Sequence, residues 1–395
     1  MILSKQVFKE IEDQTEEICL EAVHQDGRSL KYVKEQTEEI CTLAAAHNRK
    51  ALKYVIDQTE EMCKYAVWND GYALEYVREQ TEEICLIAIR KRACALRFVE
   101  NQTEEMCLMA VEDCGNALEF VVNKTDATCL ASVKQNGYSL MFVENQTEEM
   151  CLIAARQYGR TLAHVKDQTE EICLEAVKND GWALEYVKEQ TEAICLEAVK
   201  NDGRILQFCE YQTEEMCLIA VKNAKGMIRN TEGVLGFCDY QTEEICLAAV
   251  SDRGWNLQYV WNQTDEICSA AVKNNGSALK FVQNLSLRKS LEMEAVKNSG
   301  AALEFVEKQT EELCLEAVKQ ICWAIELVEN QTEEMCWIAI RQDPSALKDV
   351  KNQTEEMCLN AVKRYSHVLQ YIKDQTEEMC LVAVKDNGRT LDFVK

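Results

Sequence analysis

The motif QTEEICLEAVK, with close variants, recurs along the whole chain and constrains the fold more than any other feature. Its threonine, or the residue in the same place, occurs 17 times, and fourteen of the sixteen intervals are 22 residues long. The two longer intervals are 29 residues, from Thr213 to Thr242, and 24 residues, from Thr264 to Arg288. A fixed period of this length is typical of proteins built from stacked repeats. We number the units 1 to 17 and count offsets within each unit from the threonine.

Each unit has the pattern of two short helices, as unit 8 shows. Thr169 suits the N-cap position, and the two glutamates after it suit the positive end of the helix dipole. Apolar side chains at offsets 3, 4, 5, 7 and 8 then form a wide helical arc. We expect Gly181 to end this helix in the left-handed conformation. Residues 182–190 continue with helical spacing and predict a second, shorter helix antiparallel to the first.

These helices must stack to be stable. Isolated helices below ~12–15 residues are marginal in water, and one unit cannot bury its own apolar face. The sequence therefore predicts an all-α fold, an α-solenoid of 17 units, as a single domain over residues 1–395. Leucine at offset 15, an aromatic residue at offset 17 and valine at offset 18 are predicted core positions. The predicted parts are a half-unit cap at 1–14, nine regular units at 15–212, a unit with a seven-residue insertion at 213–241, a regular unit at 242–263, a unit with a two-residue insertion at 264–287, and five units at 288–395.

Two other folds share this period. Leucine-rich repeats require a strand of the form LxLxxN, which the units do not contain. Long amphipathic helices of the apolipoprotein type would be interrupted in most units by glycine at offset 12, at a cost of about 1 kcal/mol each. Both alternatives are less favourable than the solenoid.

The charge balance bears on partners. The formal net charge is −25, which argues against binding to nucleic acid or to anionic membranes. No apolar run reaches the ~18–20 residues of a membrane span, and the first residues do not resemble a signal peptide. We therefore expect an intracellular protein whose partners are other proteins.

The cysteines favour a structural role. Sixteen of the 21 occupy offset 4 of the first helix, where a small apolar side chain would pack in the stack, so we expect reduced and buried thiols. Cys94 is expected to be exposed and is a candidate reactive thiol. The four histidines fall at different offsets, and no catalytic or metal-binding set is evident. We predict no enzymatic activity, no cofactor and no metal.

Offset 13, at the start of the second helix, is the most informative variable position. Its neighbours are nearly constant, whereas it varies and is rich in Tyr, Trp and Arg, the residue types that dominate binding hot spots. The alternative is a surface position that is merely unconstrained. The candidate protein-binding residues are Tyr72, Tyr138, Arg160, Trp182, Arg204, Trp255 and Trp323.

The unit pattern QTEEICLEAVKNDG-x-ALEYVK resembles the short tandem helical repeats of giant DNA viruses of the mimivirus type. It is also similar to a wider uncharacterised family with units written like DREVVLAAVKQNGxALxYA. The resemblance covers residues 5–395 and fails at 222–239, at 285–290, and at His164 and Asp349 in the aromatic slot. It implies a helical repeat protein made in an infected cell, and it implies no catalytic residues.

We therefore predict a non-enzymatic scaffold for protein–protein interaction, and the viral resemblance implies that it acts on host proteins in the host cytoplasm. The alternative is a structural component that assembles end to end in a particle or filament. That alternative draws on the last unit, which carries no polar cap after Phe393. Units without glycine at offset 12 are predicted to have distorted turns between their two helices.

Overall fold

The computed structural model describes residues 8–9, 11–223 and 233–395. These residues form 17 α-helices and 17 short 3-10 helices, one of each per unit, and they contain no strand. The chain divides into two compact bodies, 1–201 and 202–395, and each is a solenoid of stacked units. The predicted all-α solenoid is thus confirmed, while the single-domain organisation stays a prediction. Of the predicted cap at 1–14 the structure describes residues 8–9 and 11–14, and of the segment 222–239, which contains the insertion, it describes 222–223 and 233–239.

The first body contains nine α-helices and eight 3-10 helices. Its α-helices are α1 Glu16–Gln25, α2 Glu38–His47, α3 Glu60–Asn69, α4 Glu82–Lys91, α5 Glu104–Asp113, α6 Asp126–Gln135, α7 Glu148–Gln157, α8 Glu170–Asn179 and α9 Glu192–Asn201. Its 3-10 helices are η1 Gly27–Tyr32, η2 Arg49–Tyr54, η3 Gly71–Tyr76, η4 Ala93–Phe98, η5 Gly115–Phe120, η6 Gly137–Phe142, η7 Gly159–His164 and η8 Gly181–Tyr186.

The second body begins with a 3-10 helix and continues with the same alternation. Its α-helices are α10 Glu214–Asn223, α11 Glu243–Asp252, α12 Asp265–Asn274, α13 Leu285–Asn298, α14 Glu311–Gln320, α15 Glu333–Gln342, α16 Glu355–Arg364 and α17 Glu377–Asp386. Its 3-10 helices are η9 Gly203–Phe208, η10 Val234–Phe237, η11 Gly254–Tyr259, η12 Gly276–Phe281, η13 Gly300–Phe305, η14 Cys322–Leu327, η15 Pro344–Asp349, η16 Ser366–Tyr371 and η17 Gly388–Phe393.

The α-helices begin where the sequence predicts. In unit 8 the Thr169 hydroxyl accepts a hydrogen bond from the N–H of Ile172 at 3.4 Å, and Glu170 and Glu171 fill the first turn. Every regular α-helix is 10 residues long. The N-cap and helix-dipole interpretation of the QTEE motif is therefore confirmed.

The second helix and the glycine differ from the prediction. The second segment of unit 8 is a six-residue 3-10 helix, and Asp180 before it is extended, with φ −144° and ψ 108°. No left-handed glycine is present in the described residues. Gly181 is instead favoured by close packing, because an added Cβ would lie 2.9 Å from the carbonyl oxygen of Ala198 in the next unit and the chain would have to shift.

Units without glycine at offset 12 keep the same joint. The residues before η4 and η16 have φ and ψ of −151° and 109° at Arg92 and −150° and 98° at Tyr365. These angles match those of the glycine-containing units because the extended joint needs no glycine. The predicted distortion of these turns was wrong.

The 3-10 geometry also changes the predicted core. Three residues per turn place offsets 12, 15 and 18 in one column, which is buried; Leu184 is an example. Offset 17 lies in the neighbouring column, and its ring is half-buried in most units, as at Tyr186. The prediction of offset 17 as a core position was therefore wrong, and its aromatic side chains line the surface.

The two-residue insertion before unit 13 lengthens a helix. Helix α13 has 14 residues and begins at Leu285, and the Asn284 side chain caps it by accepting from the N–H groups of Ser286 and Leu287 at 3.0 and 3.1 Å. The segment that replaces the usual QTEE turn thus adds one helical turn to the start of α13.

Candidate functional site

A glutamine before the threonine holds the two helices together in most units. The Gln168 side chain donates to the carbonyl oxygen of Tyr186 at 2.8 Å and accepts from the N–H of Lys188 at 2.9 Å. The side-chain oxygen of Gln168 also accepts a hydrogen bond from the thiol of Cys173 at 3.7 Å. One amide thereby ties the end of the 3-10 helix to the start of the α-helix. The sequence analysis missed this role, although the recurrent Gln and Cys at a spacing of five residues is its signal.

Unit 13 shows what replaces the glutamine bridge. It has Leu287 in place of glutamine and Glu292 in place of cysteine, so both partners of that contact are absent. The Arg288 guanidinium takes over by donating to the carbonyl oxygen of Phe305 at 2.9 Å. Unit 6 keeps Cys129 without the glutamine, which shows that the cysteine packs without its acceptor.

The cysteines at offset 4 are structural thiols. Fifteen of these sixteen side chains are buried, and Cys380 is half-buried. Burial, with a smaller effect from nearby carboxylates, raises the pKa of Cys41, Cys268 and Cys358 to about 11. Buried thiols with a raised pKa are poor nucleophiles, which fits a packing role.

Unit 10 is an exception, because Cys238 replaces the usual valine at offset 18. Its thiol hydrogen-bonds to Cys217, and the backbone N–H groups of Asp239 and Tyr240 add to this interaction. Together they lower the pKa of Cys217 to about 7, while the pKa of Cys238 is raised. Both side chains are fully buried.

The paired acids form a constant edge of the fold. They are exposed at the start of most α-helices, and at six of these helices the first acid also accepts a hydrogen bond from the threonine of the next unit. The hydroxyl of Thr191 donates to Glu170 at 2.8 Å, and that of Thr37 donates to Glu16 at 3.1 Å. This acidic edge links successive units as well as complementing the helix dipole.

Each of the seven candidate residues is the second residue of a 3-10 helix, and four of them lie in the first body and three in the second. Four side chains are exposed, including Trp255 at 41% and Trp323 at 42%, and the other three are half-buried. We call the surface formed by the 3-10 helices and the turn after each of them the 3-10 edge.

Aromatic rings continue from unit to unit along the 3-10 edge. The ring of Tyr72 meets that of Phe98 in the next unit edge-on, with centroids 6.0 Å apart. Trp255 meets Phe281 in the same way at 5.4 Å. Because the aromatic residue at offset 17 is half-exposed, it forms part of this surface rather than of the core.

Tyr138 and Arg160 also contact the next unit, whereas Arg204 has a partner in its own unit. Tyr138 stacks on Tyr158 with centroids 4.9 Å apart. Arg160 pairs with Asp180 at 2.9 Å. Arg204 pairs within its own unit, with Asp202 at 2.6 Å. These two guanidinium groups are oriented by carboxylates, so their positions on the surface are fixed.

Several exposed aromatic residues of the second body were missed by the sequence analysis. Tyr211 and Trp261 are each 65% exposed, and they occupy turn positions that are polar or charged in most units. An aromatic residue in such a position is the signal that could have identified them. We define the aromatic edge as Phe208, Tyr211, Tyr240, Trp255 and Trp261, which are all exposed.

Cys94 does not have the predicted exposure. It is half-buried on the 3-10 edge and interacts with the thiol of Cys114 and the hydroxyl of Tyr72. Burial is the main cause of the raised pKa of Cys94, which leaves less of the reactive thiolate at neutral pH.

The fold and this surface define an α-helical repeat protein. Residues 169–212 and 242–288 match a family described as a domain of unknown function, DUF4116, so these units are similar to an uncharacterised repeat family. A search of curated proteins gives no match. No helix in the described part of the chain has the length and apolarity of a membrane span. The same residues contain no cluster of three or more His, Cys, Asp or Glu side chains placed to hold a metal ion.

Proposed function

We propose that the chain is a non-enzymatic scaffold that binds other proteins through its 3-10 edge. The observation that carries the proposal is the aromatic edge, where five large rings are exposed within three consecutive units. Tyr and Trp are enriched at the energetic centres of protein interfaces. Contiguous exposed apolar surface is uncommon on soluble proteins and marks sites of interaction.

The scaffold supports this role by keeping the edge rigid. The glutamine bridges fix each 3-10 helix to its α-helix, and ring contacts such as Trp255–Phe281 join neighbouring units. A surface that is ordered before binding loses little conformational entropy when a partner docks. Variation at offset 13 then changes the side chains presented without changing their spacing.

We further propose that the protein acts inside a cell and belongs to a giant virus of the mimivirus type, with host proteins as partners. The described residues contain no disulfide, which suits a reducing compartment. The viral assignment draws on the unit sequence and on the similarity to an uncharacterised repeat family. End-to-end assembly stays a prediction, and light scattering over a range of protein concentrations would test it.

Site-specific photo-crosslinking tests the binding surface. A photoreactive phenylalanine analogue at position 255 should crosslink a partner in cells, whereas the same group at Trp68 should not. Trp68 is a suitable control because it is 62% exposed but lies on an α-helix.

The identified partner is then purified and its affinity measured by calorimetry. Trp255→Ala with Trp323→Ala should weaken binding by about a hundredfold, which corresponds to two hot-spot residues of more than 1 kcal/mol each. Trp68→Ala should leave the affinity unchanged. Equal loss in the two variants, or crosslinking only from position 68, would contradict the proposal.

A further inference from the structure

We propose that the 3-10 edge of units 1–4 binds an acidic segment of a protein partner, whose carboxylates contact cations held against the aromatic rings of this edge. This inference rests on the proposed function and names the chemistry of one partner. We define the cationic edge as the seven basic residues at offsets 11–17 of these units, which are Arg28, Lys31, Arg49, Lys50, Lys53, Arg92 and Arg97.

The charge of this surface is opposite to that of the chain. Offsets 11–17 of units 1–4 carry these seven cations and three carboxylates, whereas the whole chain has a net charge of −25. The same offsets of units 5–8 carry one cation, Arg160, and three carboxylates, so the basic character is local. A local excess of positive charge on an acidic protein favours a partner with negative charge.

Aromatic rings hold two of the cations between successive units. The Lys31 ammonium lies 5.8 Å from the ring centre of Tyr32 and 5.9 Å from that of Tyr54 in the next unit. The Arg97 guanidinium lies 5.4 and 5.0 Å from the rings of Phe98 and Phe120. These distances are those of cation–π contacts. Lys31 and Arg97 form no ion pair with any of the described residues, so a ligand carboxylate would not have to displace one.

Between Lys31 and Arg97 along the chain, two arginines share one aromatic ring and one carboxylate. Arg49 and Arg92 approach the ring of Tyr72 at 5.3 and 5.0 Å. Both also contact the carboxylate of Asp70, at 3.2 and 3.3 Å. One carboxylate therefore orients two guanidinium groups and neutralises one of their charges. The remaining positive charge is available to a carboxylate from a partner.

The spacing suits an extended peptide. Packed helices lie on the order of 8–10 Å apart, and an extended chain advances about 3.3 Å per residue, so every third residue of a peptide would face a new unit. Exposed carboxylates follow each ring three residues later, at Glu35, Asp57 and Glu79. A peptide can place uncharged residues against them, whereas a nucleic acid carries a charge at every nucleotide. We therefore favour an acidic protein segment.

Fluorescence anisotropy with a defined probe tests the inference. The probe is a fluorescein-labelled peptide with glutamate at every third residue, separated by alanine and serine. Lys31→Glu/Lys53→Glu/Arg97→Glu should weaken its binding to the full chain at least about tenfold. The neutral variant Lys31→Gln/Lys53→Gln/Arg97→Gln should have an intermediate affinity, and circular dichroism checks that both variants fold.

A matched control separates the cationic edge from net charge. Lys134→Glu/Lys297→Glu/Lys319→Glu makes the same change of charge at exposed α-helical positions and should leave the affinity within about twofold. Equal weakening by the control, no peptide binding to the unaltered chain, or tighter binding of an oligothymidine of equal charge would overturn the inference. These results would overturn this inference alone if binding of the partner crosslinked at position 255 still depended on Trp255. The proposed function would then stand.

Discussion

The cationic edge of the first body and the aromatic edge of the second occupy the same structural element but differ in chemistry. The cationic edge leaves Lys31 and Arg97 against rings without an ion pair in the described residues. In the second body Arg204 and Arg253 are paired with neighbouring carboxylates, and the exposed area consists mainly of rings such as Trp261. One backbone geometry therefore presents two kinds of surface, because the contacts that fix the geometry lie outside the variable positions.

The largest expected effect is a loss of stability at high pH, and it tests whether the two bodies have the same kind of core. The pKa of Cys41 in the first body and of Cys268 and Cys358 in the second is raised to about 11, so the protonated thiols stabilise the fold. This stability is fully present below pH 9 and is lost as the pH rises from 9 to 11. One pKa unit corresponds to about 1.4 kcal/mol per thiol, so the summed loss should be several kcal/mol.

Thermal unfolding between pH 8 and pH 11 measures this effect. The melting temperature should fall steeply above pH 9, and Cys41→Ala/Cys268→Ala/Cys358→Ala should reduce that dependence. A melting temperature that does not change up to pH 11 would show that the thiols are not protonated core groups.

The next effect compares the packing beneath the two edges. Gly71 and Gly254 each leave no space for a Cβ, which would collide with the carbonyl oxygen of Ala88 or of Ala271. Gly71→Ala and Gly254→Ala should therefore each lower the free energy of unfolding by about 1–3 kcal/mol. Chemical denaturation gives this value. Gly388→Ala is the control, because nothing lies within 4 Å of its Cβ position, and it should be neutral or slightly stabilising.

Salt should separate the two edges by their chemistry. Binding of the glutamate-rich peptide to the cationic edge should weaken about tenfold between 50 and 300 mM NaCl, because screening reduces the attraction between exposed charges. Binding of the partner that crosslinks at position 255 should change by less than about threefold, because apolar burial is insensitive to moderate salt. Anisotropy and calorimetry at both salt concentrations provide the comparison. The same salt dependence at both edges would remove the distinction between them.

The smallest effect concerns the constant acidic edge. Thr191 caps α9 through the N–H of Ile194 at 3.4 Å and donates to Glu170 at 2.8 Å. Thr191→Ala should cost about 1 kcal/mol of stability. It should leave binding at the cationic edge unchanged. Chemical denaturation and anisotropy measure the two quantities. A change in peptide affinity would show that the two edges are coupled.

The sequence predicted the repeat, the α-helices and the buried cysteines because these depend on local patterns. Thr169 and the glutamates after it specify a helix start without any knowledge of the stack. The second segment was harder to predict, since helical spacing over six residues does not distinguish an α-helix from a 3-10 helix. The placement of aromatic residues such as Tyr186 in the core followed from that error.

The candidate surface was predicted only in part. Variation at offset 13 identified Trp255 and Tyr72 from their composition alone. The contributions of Lys31 and Arg97 depend on which rings lie beside them in the next unit, and that arrangement requires the stacked structure. The role of Gly181 was predicted incorrectly for the same reason, because the atom that excludes a side chain belongs to the following unit.

Hydroxyl-radical footprinting of the full chain, with and without its purified partner, tests the 3-10 edge most directly. We predict that oxidation of Tyr211, Trp255 and Trp261 falls on binding while that of Trp68 and Tyr65 on helix α3 does not change. Protection of Trp68 and Tyr65 with continued oxidation of the other three would place the partner on the α-helical face and contradict the account.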